Sequence, residues 1–553
     1  MEKRPLQILA LIFLIGLFIR IVGLGSIPRG FTPDEASQAY SAFSLLKTDK
    51  DEWGVSWPVT SFKSFLDYKS PLQTYLMIPS IAIFGLNEFA ARLPSAIFGS
   101  LAIISAYFLS SKLAENRKVG LLTSAVLAFS PWAIQFSRMA LEANLAVFFI
   151  TGGLYLFLSS DKKSYILPLS AIFFAVSLYS YHAAKLFVPL LLINLLVIFH
   201  KKLFRQKKTL LVSILIGLFI AFPLFTNLLG QDSKRGQDLL ITNISIEKLS
   251  GLNDIIFYSD LYKTNQLLPR VFHNKVTLIL NDFFTNYASY FSLHFWFLEG
   301  GREITYSVIP GRGLLFLIFL PFLIFGVVGI VKSNLPAQNK KLLIAWLLLA
   351  PIPASLSKEG YRPNRAISFM FLLEFLIAFG VWNFVTSNLK NARTKTLTLV
   401  IIFALSFSFY LEDYLFASHV KYPDAMSYGW RETVFEISKI QKNYRTIHVE
   451  QGGQAQSMIA FYQKINPSIF QQNSLVWQEK LSRQQDIKYL DQLGDYSLNN
   501  FRFKGFSWPE DINSDILYVA RNTGTLPQSR KTIKKITTPQ GKVLFEIFDF
   551  PKI

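Results

Sequence analysis

The sequence P-R-G-F-T-P-D-E-A-S-Q-A-Y-S-A-F at residues 28–43, with D-Y-K-S-P-L at residues 67–72, interrupts an otherwise hydrophobic chain. The hydrophobic segment Leu6–Leu24 precedes this polar stretch, and mostly hydrophobic sequence follows it as far as Tyr410. Charged residues between apolar segments of spanning length are expected at a membrane boundary. The Asp-Glu pair and the Lys are therefore predicted to lie at the mouth of a membrane protein.

The composition supports a membrane protein. Of the 553 residues 51% are hydrophobic and 17% are charged, whereas a soluble domain is typically about a quarter charged. Apolar runs of about 16 to 22 residues recur along the chain, which is the length needed to cross a bilayer. The start Met1–Arg4 is basic, but no small-residue cleavage site follows Leu24, so Leu6–Leu24 is predicted to be a retained first span.

The net charge of +20 does not indicate a nucleic-acid partner. The Lys and Arg residues cluster in short loops between apolar segments, and in membrane proteins such loops lie on the cytoplasmic side. The chain has no Cys, which excludes disulfides and thiolate metal sites.

The positions of these basic clusters predict the topology. With residues 3–4, 112–118, 162–163, 200–208, 332–341 and 390–395 on the cytoplasmic side, about eleven crossings result. The N-terminus is then inside and the C-terminal part outside. The predicted spans are 6–24, 92–111, 119–136, 142–159, 165–181, 186–200, 208–229, 312–331, 341–356, 366–386 and 396–411.

Ser70–Gly85 is apolar but short. Counting it as a crossing would invert every later loop, so we predict a re-entrant or juxtamembrane helix on the outer side. Residues 25–91 and 230–311 are the two long outer loops of this topology. The aromatic, amphipathic pieces of the second loop are expected to lie along the membrane surface.

The composition changes near Glu412 to that of a soluble α/β chain. Strands are predicted at 446–450, 516–520 and 543–547, and helices at 432–440 and 454–463. The predicted organisation is a transmembrane catalytic domain at 1–411 followed by an extracytoplasmic α/β domain at 412–553.

Thr32-Pro33-Asp34-Glu35 allows two interpretations. Thr at the N-cap, Pro at the first helical position and Glu three residues after the cap form a capping box that opens an amphipathic helix. The same carboxylates, beside a span exit and followed by Lys69, also suit chemistry on a lipid-linked phosphate. Asp34 is then a general base for an acceptor hydroxyl, and Lys69 neutralises phosphate.

Three motifs carry a resemblance to a known family. The D-E-A at Asp34, the Y-K-S-P-L-Q-T-Y from Tyr68 and the F-G-L-N-E-F-A-A-R-L-P-S-A-I-F-G from Phe84 resemble those of GT-C glycosyltransferases that use polyprenyl-phosphate sugars. The nearest branch holds the protein O-mannosyltransferases and the lipid A aminoarabinose transferases. The usual K-P-P-L is K-S-P-L here, which retains the Lys and one Pro.

The resemblance implies a polytopic helical GT-C fold with Asp34 as the catalytic base and Glu35 beside it. It implies a second acidic residue in the next outer loop, where Glu142 follows Arg138 by four residues. Relatives often have Asp at that position. A plain ion pair on a helix surface, worth about 0.3–0.5 kcal/mol, is the alternative for these two residues.

Further residues are predicted to bind substrate. Tyr68 lies beside Lys69, and His182 and Lys185 follow an outer span end. Arg362 and Arg365 lie in an outer cluster, S-K-E-G-Y-R-P-N-R from Ser357, that departs from the general charge rule; Arg suits bidentate phosphate binding. No spacing of His, Asp and Glu indicates a dedicated metal site, although a divalent ion near the carboxylates is conceivable.

The predicted function is transfer of a sugar (hexosyl or pentosyl) from a polyprenyl-phosphate donor to a hydroxyl of a protein, lipid or glycan, on the outer face of a prokaryotic plasma membrane. No cofactor is expected, and the partners are the lipid-linked donor, the acceptor and membrane lipids. A flippase for lipid-linked glycans is one alternative, but it would place its ionisable residues near mid-membrane. An oligosaccharide ligase or polymerase is the other.

Overall fold

The computed structural model describes residues 3–161, 163, 165–227, 240–301, 309, 312–358, 360–387, 389–422, 425–484, 487, 489–508, 511–521 and 526–551. Of the predicted outer loop 230–311, residues 230–239, 302–308 and 310–311 lie outside this part of the chain, as does Lys162 of the predicted basic clusters.

Over residues 3–227, as far as the structure describes them, the regular elements are helices and one short hairpin. The helices are α1 Lys3–Ile21, α2 Pro33–Thr48, α3 Pro71–Phe84, α4 Glu88–Leu113, α5 Arg117–Phe129, α6 Pro131–Arg138, α7 Ala143–Ser159, α8 Ile166–Ser177, α9 Ala184–Ile198, α10 His200–Arg205 and α11 Lys207–Asn227. The hairpin pairs β1 Phe62–Lys63 with β2 Tyr68–Lys69.

Short amphipathic helices and then further apolar helices follow. They are α12 Ile246–Tyr258, α13 Asp260–Thr264, α14 Leu268–Phe272, α15 Lys275–Ser289, α16 Leu320–Lys332, α17 Ala337–Leu349, α18 Ile352–Ser355, α19 Met370–Thr386 and α20 Ala392–Glu412.

Each of the eleven predicted spans coincides with at least one helix. Within the described residues, five helices (α1, α4, α11, α19 and α20) are long and apolar enough to cross a membrane. A sixth results if α5 and α6, which meet at a bend of 56°, form one broken span. Shorter apolar helices account for most of the rest. The protein is thus a multi-pass membrane protein, while the count of eleven crossings stays a prediction.

The spans differ in how far they are buried within the protein. The segment that contains α19 is 78% buried, whereas α11 is 11% buried and so presents most of its surface to the outside of the bundle. Helices α16 and α19 are in close contact. A Cβ added at Gly326 or Gly380 would lie within 2.0 Å of a carbonyl oxygen of the facing helix. These two glycines let the central helices approach backbone to backbone.

The predicted re-entrant or juxtamembrane segment forms α3. This helix packs against α2 on one side and α4 on the other. The Ser80 hydroxyl donates a hydrogen bond to the Ala90 carbonyl at 2.6 Å, and Ile83 and Phe84 at the far end are exposed. The other end of α3 lies near the start of α2, because Lys69, two residues before α3, is 2.8 Å from Asp34.

The C-terminal region contains one six-stranded sheet of order β4-β5-β3-β6-β8-β7, in which β5, β3 and β6 are parallel. The three predicted strands and two predicted helices are confirmed, while β4, β5, β7 and α24 carried no signal that we recognised. The elements are α21 Ser418–Lys421, α22 Trp430–Ile440, β3 Thr446–Glu450, α23 Ala455–Gln463, α24 Pro467–Ser482, β4 Tyr496–Leu498, β5 Phe501–Lys504, β6 Ile516–Ala520, β7 Lys531–Thr537 and β8 Val543–Asp549.

The polar stretch of residues 28–91 and the C-terminal region share one hydrophobic core. Side chains of α2 and α3 belong to the same cluster of buried residues as one face of the six-stranded sheet. Phe31 and Phe461, for example, have ring centroids 4.6 Å apart. The first outer loop is therefore folded as part of a larger unit.

Candidate active site

Asp34 is held at the first turn of α2. The Thr32 side-chain oxygen accepts a hydrogen bond from the Glu35 N–H at 3.2 Å, and the Thr32 N–H donates to Glu35 Oε2 at 3.0 Å. With Pro33 at the first helical position, the capping-box interpretation is confirmed. It fixes the backbone on both sides of Asp34, whose side chain is 17% exposed.

Lys69 projects from the hairpin to meet Asp34. Its ammonium nitrogen lies 2.8 Å from Asp34 Oδ1 and 2.9 Å from Asp67 Oδ2. Burial favours the neutral amine, but the carboxylates of Asp34 and Asp67, together with Glu142, outweigh burial and raise the pKa of Lys69. Lys69 is thus a permanent cation bracketed by carboxylates.

Glu142 lies in the turn between α6 and α7, outside both helices, and reaches the same place. Its Oε2 accepts a hydrogen bond from the Ser70 N–H at 3.4 Å. Burial raises the pKa of Glu142 to about 8, with Lys69 opposing the shift and Asp34 reinforcing it. Near neutral pH the protonated carboxyl therefore predominates. The structure brings all three, Asp34, Lys69 and Glu142, together.

Arg138 does not join them. The prediction placed Arg138 and Glu142 on one helix face, but α6 ends at Arg138 and Met139 is extended, so that part of the prediction is wrong. The Arg138 guanidinium donates instead to the carbonyl of Ile19 in the last turn of α1 and to that of Ile27 in the segment that follows α1. Its side chain is buried, and these contacts make it an anchor between α6 and α1 rather than a substrate ligand.

Glu35 also turns away from the site. Its two oxygens accept hydrogen bonds from Arg92 at 2.9 and 3.3 Å, and the Ala140 N–H donates to Oε1 at 2.9 Å. Both side chains of the ion pair are fully buried. This geometry does not fit the predicted catalytic role, because no face of the carboxylate is open to a substrate. Glu35 positions α2 against α4.

The residues around Lys69 dock on the turn between α8 and α9. His182 Nε2 lies 3.0 Å from the Tyr68 carbonyl oxygen, and the Leu72 N–H donates to the Tyr179 carbonyl at 3.2 Å. Because the partner is a carbonyl, Nε2 carries the proton in this contact. His182 therefore holds the backbone of Tyr68, and Lys185, on the first turn of α9, interacts electrostatically with His182.

Arg362 and Arg365 lie in the segment between α18 and α19, in which Glu359 is outside the described residues. The Arg362 N–H donates to the Tyr290 hydroxyl at 3.3 Å. Burial and the neighbouring Arg365 charge lower the pKa of Arg362. Two guanidinium groups that repel each other are stabilised when an anion binds between them.

Tyr181 is a neighbour of both groups of predicted residues. It lies within electrostatic range of Arg365, Glu142 and Lys69, and Arg362 in turn lies within range of Tyr181. The predicted donor-phosphate residues and the predicted catalytic residues therefore have Tyr181 as a common neighbour.

Sequence reasoning missed several participants. Asp67 is two residues before Lys69, a spacing that a hairpin strand makes adjacent on one face. Tyr181 lies at the end of a predicted span, where a tyrosine is also expected as a membrane-interface residue. Arg92 was part of the family pattern, but nothing in the sequence indicated that it pairs with Glu35.

Within the described residues, no group of three or more His, Asp or Glu side chains could hold a metal ion. The ammonium of Lys69 occupies the position between Asp34 and Asp67 where a cation would be expected.

Comparison with solved structures identifies the class of fold. The Archaeoglobus fulgidus oligosaccharyltransferase, in the apo form, superposes with a TM-score of 0.50 over 83% of this chain and 64% of that chain, at 15% identity. ArnT from Cupriavidus metallidurans, bound to undecaprenyl phosphate, matches over 86% of this chain and 79% of that chain at 12% identity, with a lower TM-score of 0.42. The predicted GT-C fold is confirmed.

Sequence comparison gives a narrower likeness. Residues 68–226 match the model of the dolichyl-phosphate-mannose-protein mannosyltransferase family, which confirms the resemblance inferred from the motifs over that part of the chain. An uncharacterised protein of Aquifex aeolicus (strain VF5) is 25% identical over 355 residues, covering 62% of this chain. The chain spans 63% of that relative and 64% of the archaeal structure.

Proposed function

We propose that this protein is a membrane glycosyltransferase that moves one sugar from a polyprenyl-phosphate donor to a hydroxyl of a protein, lipid or glycan. The observation that carries the proposal is the ion pair of Asp34 and Lys69, 2.8 Å long and partly open to solvent. Arg362 and Arg365 lie within electrostatic range of Tyr181, which is also within range of Lys69. The GT-C fold and the family match over residues 68–226 support it.

Asp34 is the proposed general base. It accepts the proton of the acceptor hydroxyl while the acceptor oxygen bonds to the anomeric carbon. The bond between that carbon and the phosphate oxygen breaks, and the lipid phosphate leaves with the electron pair. A single displacement of this kind inverts the anomeric configuration.

The leaving phosphate is stabilised by Lys69, Arg362 and Arg365. Lys69 acts as a point charge, and the arginines supply planar paired donors. The carboxyl of Glu142, whose pKa burial raises to about 8, remains largely protonated and donates a hydrogen bond to a phosphate oxygen. A protonated acid at this position avoids repulsion between the substrate and a third carboxylate.

The reaction is proposed to need no metal, because the Lys69 ammonium already holds the two carboxylates at 2.8 and 2.9 Å. Its proposed location is the outer face of a prokaryotic plasma membrane, with the N-terminus cytoplasmic and the C-terminal region outside. The distribution of basic loops supports this orientation.

The decisive experiment measures lipid-phosphate release in detergent with a panel of short-chain polyprenyl-phosphate sugars. Wild type should turn over at least one donor, and Asp34→Asn should lower turnover by about 10²–10⁴-fold while still binding the donor. Asp67→Asn is the matched control, since it removes the same charge from Lys69 at 2.9 Å but not the proposed base.

Three outcomes discriminate. Equal losses in Asp34→Asn and Asp67→Asn would mean that the carboxylates act only through the charge of Lys69. Normal turnover in Asp34→Asn would show that Asp34 is not the base and would restrict it to its ion pair with Lys69 in the first turn of α2. A wild type that binds donors but releases no lipid phosphate, and instead moves the lipid across vesicles, would make the protein a flippase; release only with preassembled glycan donors would make it an oligosaccharide ligase.

A further inference from the structure

The helix that carries Asp34 is buried on nearly every side. Residues 35–42 of α2 are all buried, including polar ones such as Ser37 and Gln38, whereas Leu46 near the end of the helix is 40% exposed. Helix α3 covers one side of α2, and α23 of the C-terminal region covers another. The C-terminal region therefore supplies part of the wall that fixes the catalytic helix.

Tyr40 makes the most direct contact between the two. Its ring lies 5.2 Å from that of Phe470, and its hydroxyl donates a hydrogen bond to the Ile465 carbonyl at 2.7 Å. The side chain is fully buried. A buried hydroxyl bonded to a backbone carbonyl fixes the helix along a defined direction, which apolar contact alone does not.

Gln471 on α24 secures the far end of α2. Its side-chain amide donates to Thr48 Oγ1 at 2.8 Å, to Ser44 Oγ at 3.1 Å and to the Asp51 carbonyl at 3.1 Å. Trp53 and Trp477 then pack edge to face with centroids 5.9 Å apart. Both ends of the contact surface are therefore tied by specific interactions.

We infer that the C-terminal region acts as a clamp on α2, and that Tyr40 and Gln471 are positioning residues for Asp34. An α-helix transmits a displacement along its axis, so a shift at Tyr40 moves the carboxylate relative to the Lys69 ammonium at 2.8 Å. Proton transfer requires hydrogen-bond geometry, and a misplacement of about 1 Å costs about a hundredfold in rate. The inference rests on the proposed function for its kinetic test.

The test uses the full-length protein and four variants. Tyr40→Phe removes only the hydroxyl, and Gln471→Met removes the amide at nearly constant volume. Tyr518→Phe is the control for the first, since Tyr518 is equally buried, donates to the Asp511 carbonyl and packs in a separate cluster of the same sheet. Gln472→Met is the control for the second, because Gln472 is the exposed neighbour on α24.

Two readouts are combined. Hydrogen exchange of the backbone amides in α2 should accelerate at least tenfold in Tyr40→Phe and Gln471→Met and remain unchanged in both controls. Turnover should fall about tenfold to a hundredfold in the same two variants, with the donor KM within twofold of wild type, because the phosphate ligands lie elsewhere.

A purely stabilising role predicts a different pattern. Turnover would then follow the melting temperature, so Tyr518→Phe would lose as much activity as Tyr40→Phe for an equal fall in Tm. That result would overturn the inference. So would hydrogen-exchange rates in α2 that are the same in Tyr40→Phe and Gln471→Met as in wild type. Failure of the proposed function is recognised separately, since it abolishes turnover in wild type and leaves the exchange experiment intact.

Discussion

Replacing Glu142 with Gln tests whether this carboxyl is held protonated in the folded protein at neutral pH. Burial raises its pKa from 4.5 to about 8, and Gln cannot ionise. Between these two pH values the unfolded chain has released the proton while the folded chain still binds it. Stability must therefore decline as the pH rises through this window.

The magnitude follows from the size of the shift. At about 1.4 kcal/mol per pKa unit, a pKa of about 8 in place of 4.5 lowers the free energy of unfolding by up to about 5 kcal/mol as the pH rises. The free energy of unfolding is highest below pH 4.5, falls steadily as the pH rises, and has lost the whole of this amount above pH 8. With an unfolding entropy of about 2.1 cal/mol/K per residue over 553 residues, the expected change in Tm is on the order of 4 °C.

The assay follows tryptophan fluorescence during heating in detergent, from pH 5 to pH 8.5. The Tm of wild type should fall about 4 °C further than that of Glu142→Gln over this range, because both proteins share the pH dependence of all other groups. Glu479→Gln is the control, because the side chain of Glu479 is 65% exposed, and it should parallel wild type. If Glu142→Gln also parallels wild type, Glu142 is already ionised at pH 5 and its proposed hydrogen-bond donation is excluded.

Three further results are expected. Glu35→Gln should lower the yield and the Tm of the folded protein, because breaking a buried ion pair costs about 3–5 kcal/mol and leaves Arg92 buried without its carboxylate. An unchanged Tm would contradict a buried ion pair between Glu35 and Arg92. Arg365→Met should raise the donor KM about tenfold or more and weaken the salt dependence of donor binding. The measurement is donor binding at 50 and 200 mM salt, and unchanged binding would remove Arg365 from the phosphate site. Turnover should persist after exhaustive treatment with a chelator, and recovery only on adding Mg²⁺ or Mn²⁺ would show that Lys69 does not replace a metal.

The membrane helices were predictable because the length and polarity of a span are properties of a single segment. The capping box at Thr32 was predictable for the same reason, since its partners are three residues apart. Asp34 and Lys69 were paired from their position beside a span exit. Glu142 was added only through the family resemblance, because it belongs to a separate loop that local sequence does not connect to the other two.

The errors concern side chains whose partners are distant in sequence. Arg138 was assigned to a helix face that ends one residue later, where Met139 becomes extended. Glu35 was assigned a catalytic role because it adjoins Asp34, although the capping box already gave its side chain a local partner at Thr32. Its burial depends on Arg92, which lies on another helix. The docking of α23 and α24 on α2 was not foreseen, because a periodicity shows that a face is apolar but not what covers it.

The hydrogen bond between Tyr40 and Ile465 joins residues 425 positions apart, and this distance has a consequence for synthesis. At about 5–20 residues per second, Tyr40 leaves the ribosome on the order of 20–85 seconds before its acceptor exists. Throughout that interval α2 exposes the aromatic and apolar side chains that later enter the shared core. A nascent chain therefore has no finished active site until nearly its whole length is made. Premature termination anywhere before α24 should yield an inactive protein that chaperones and proteases recognise.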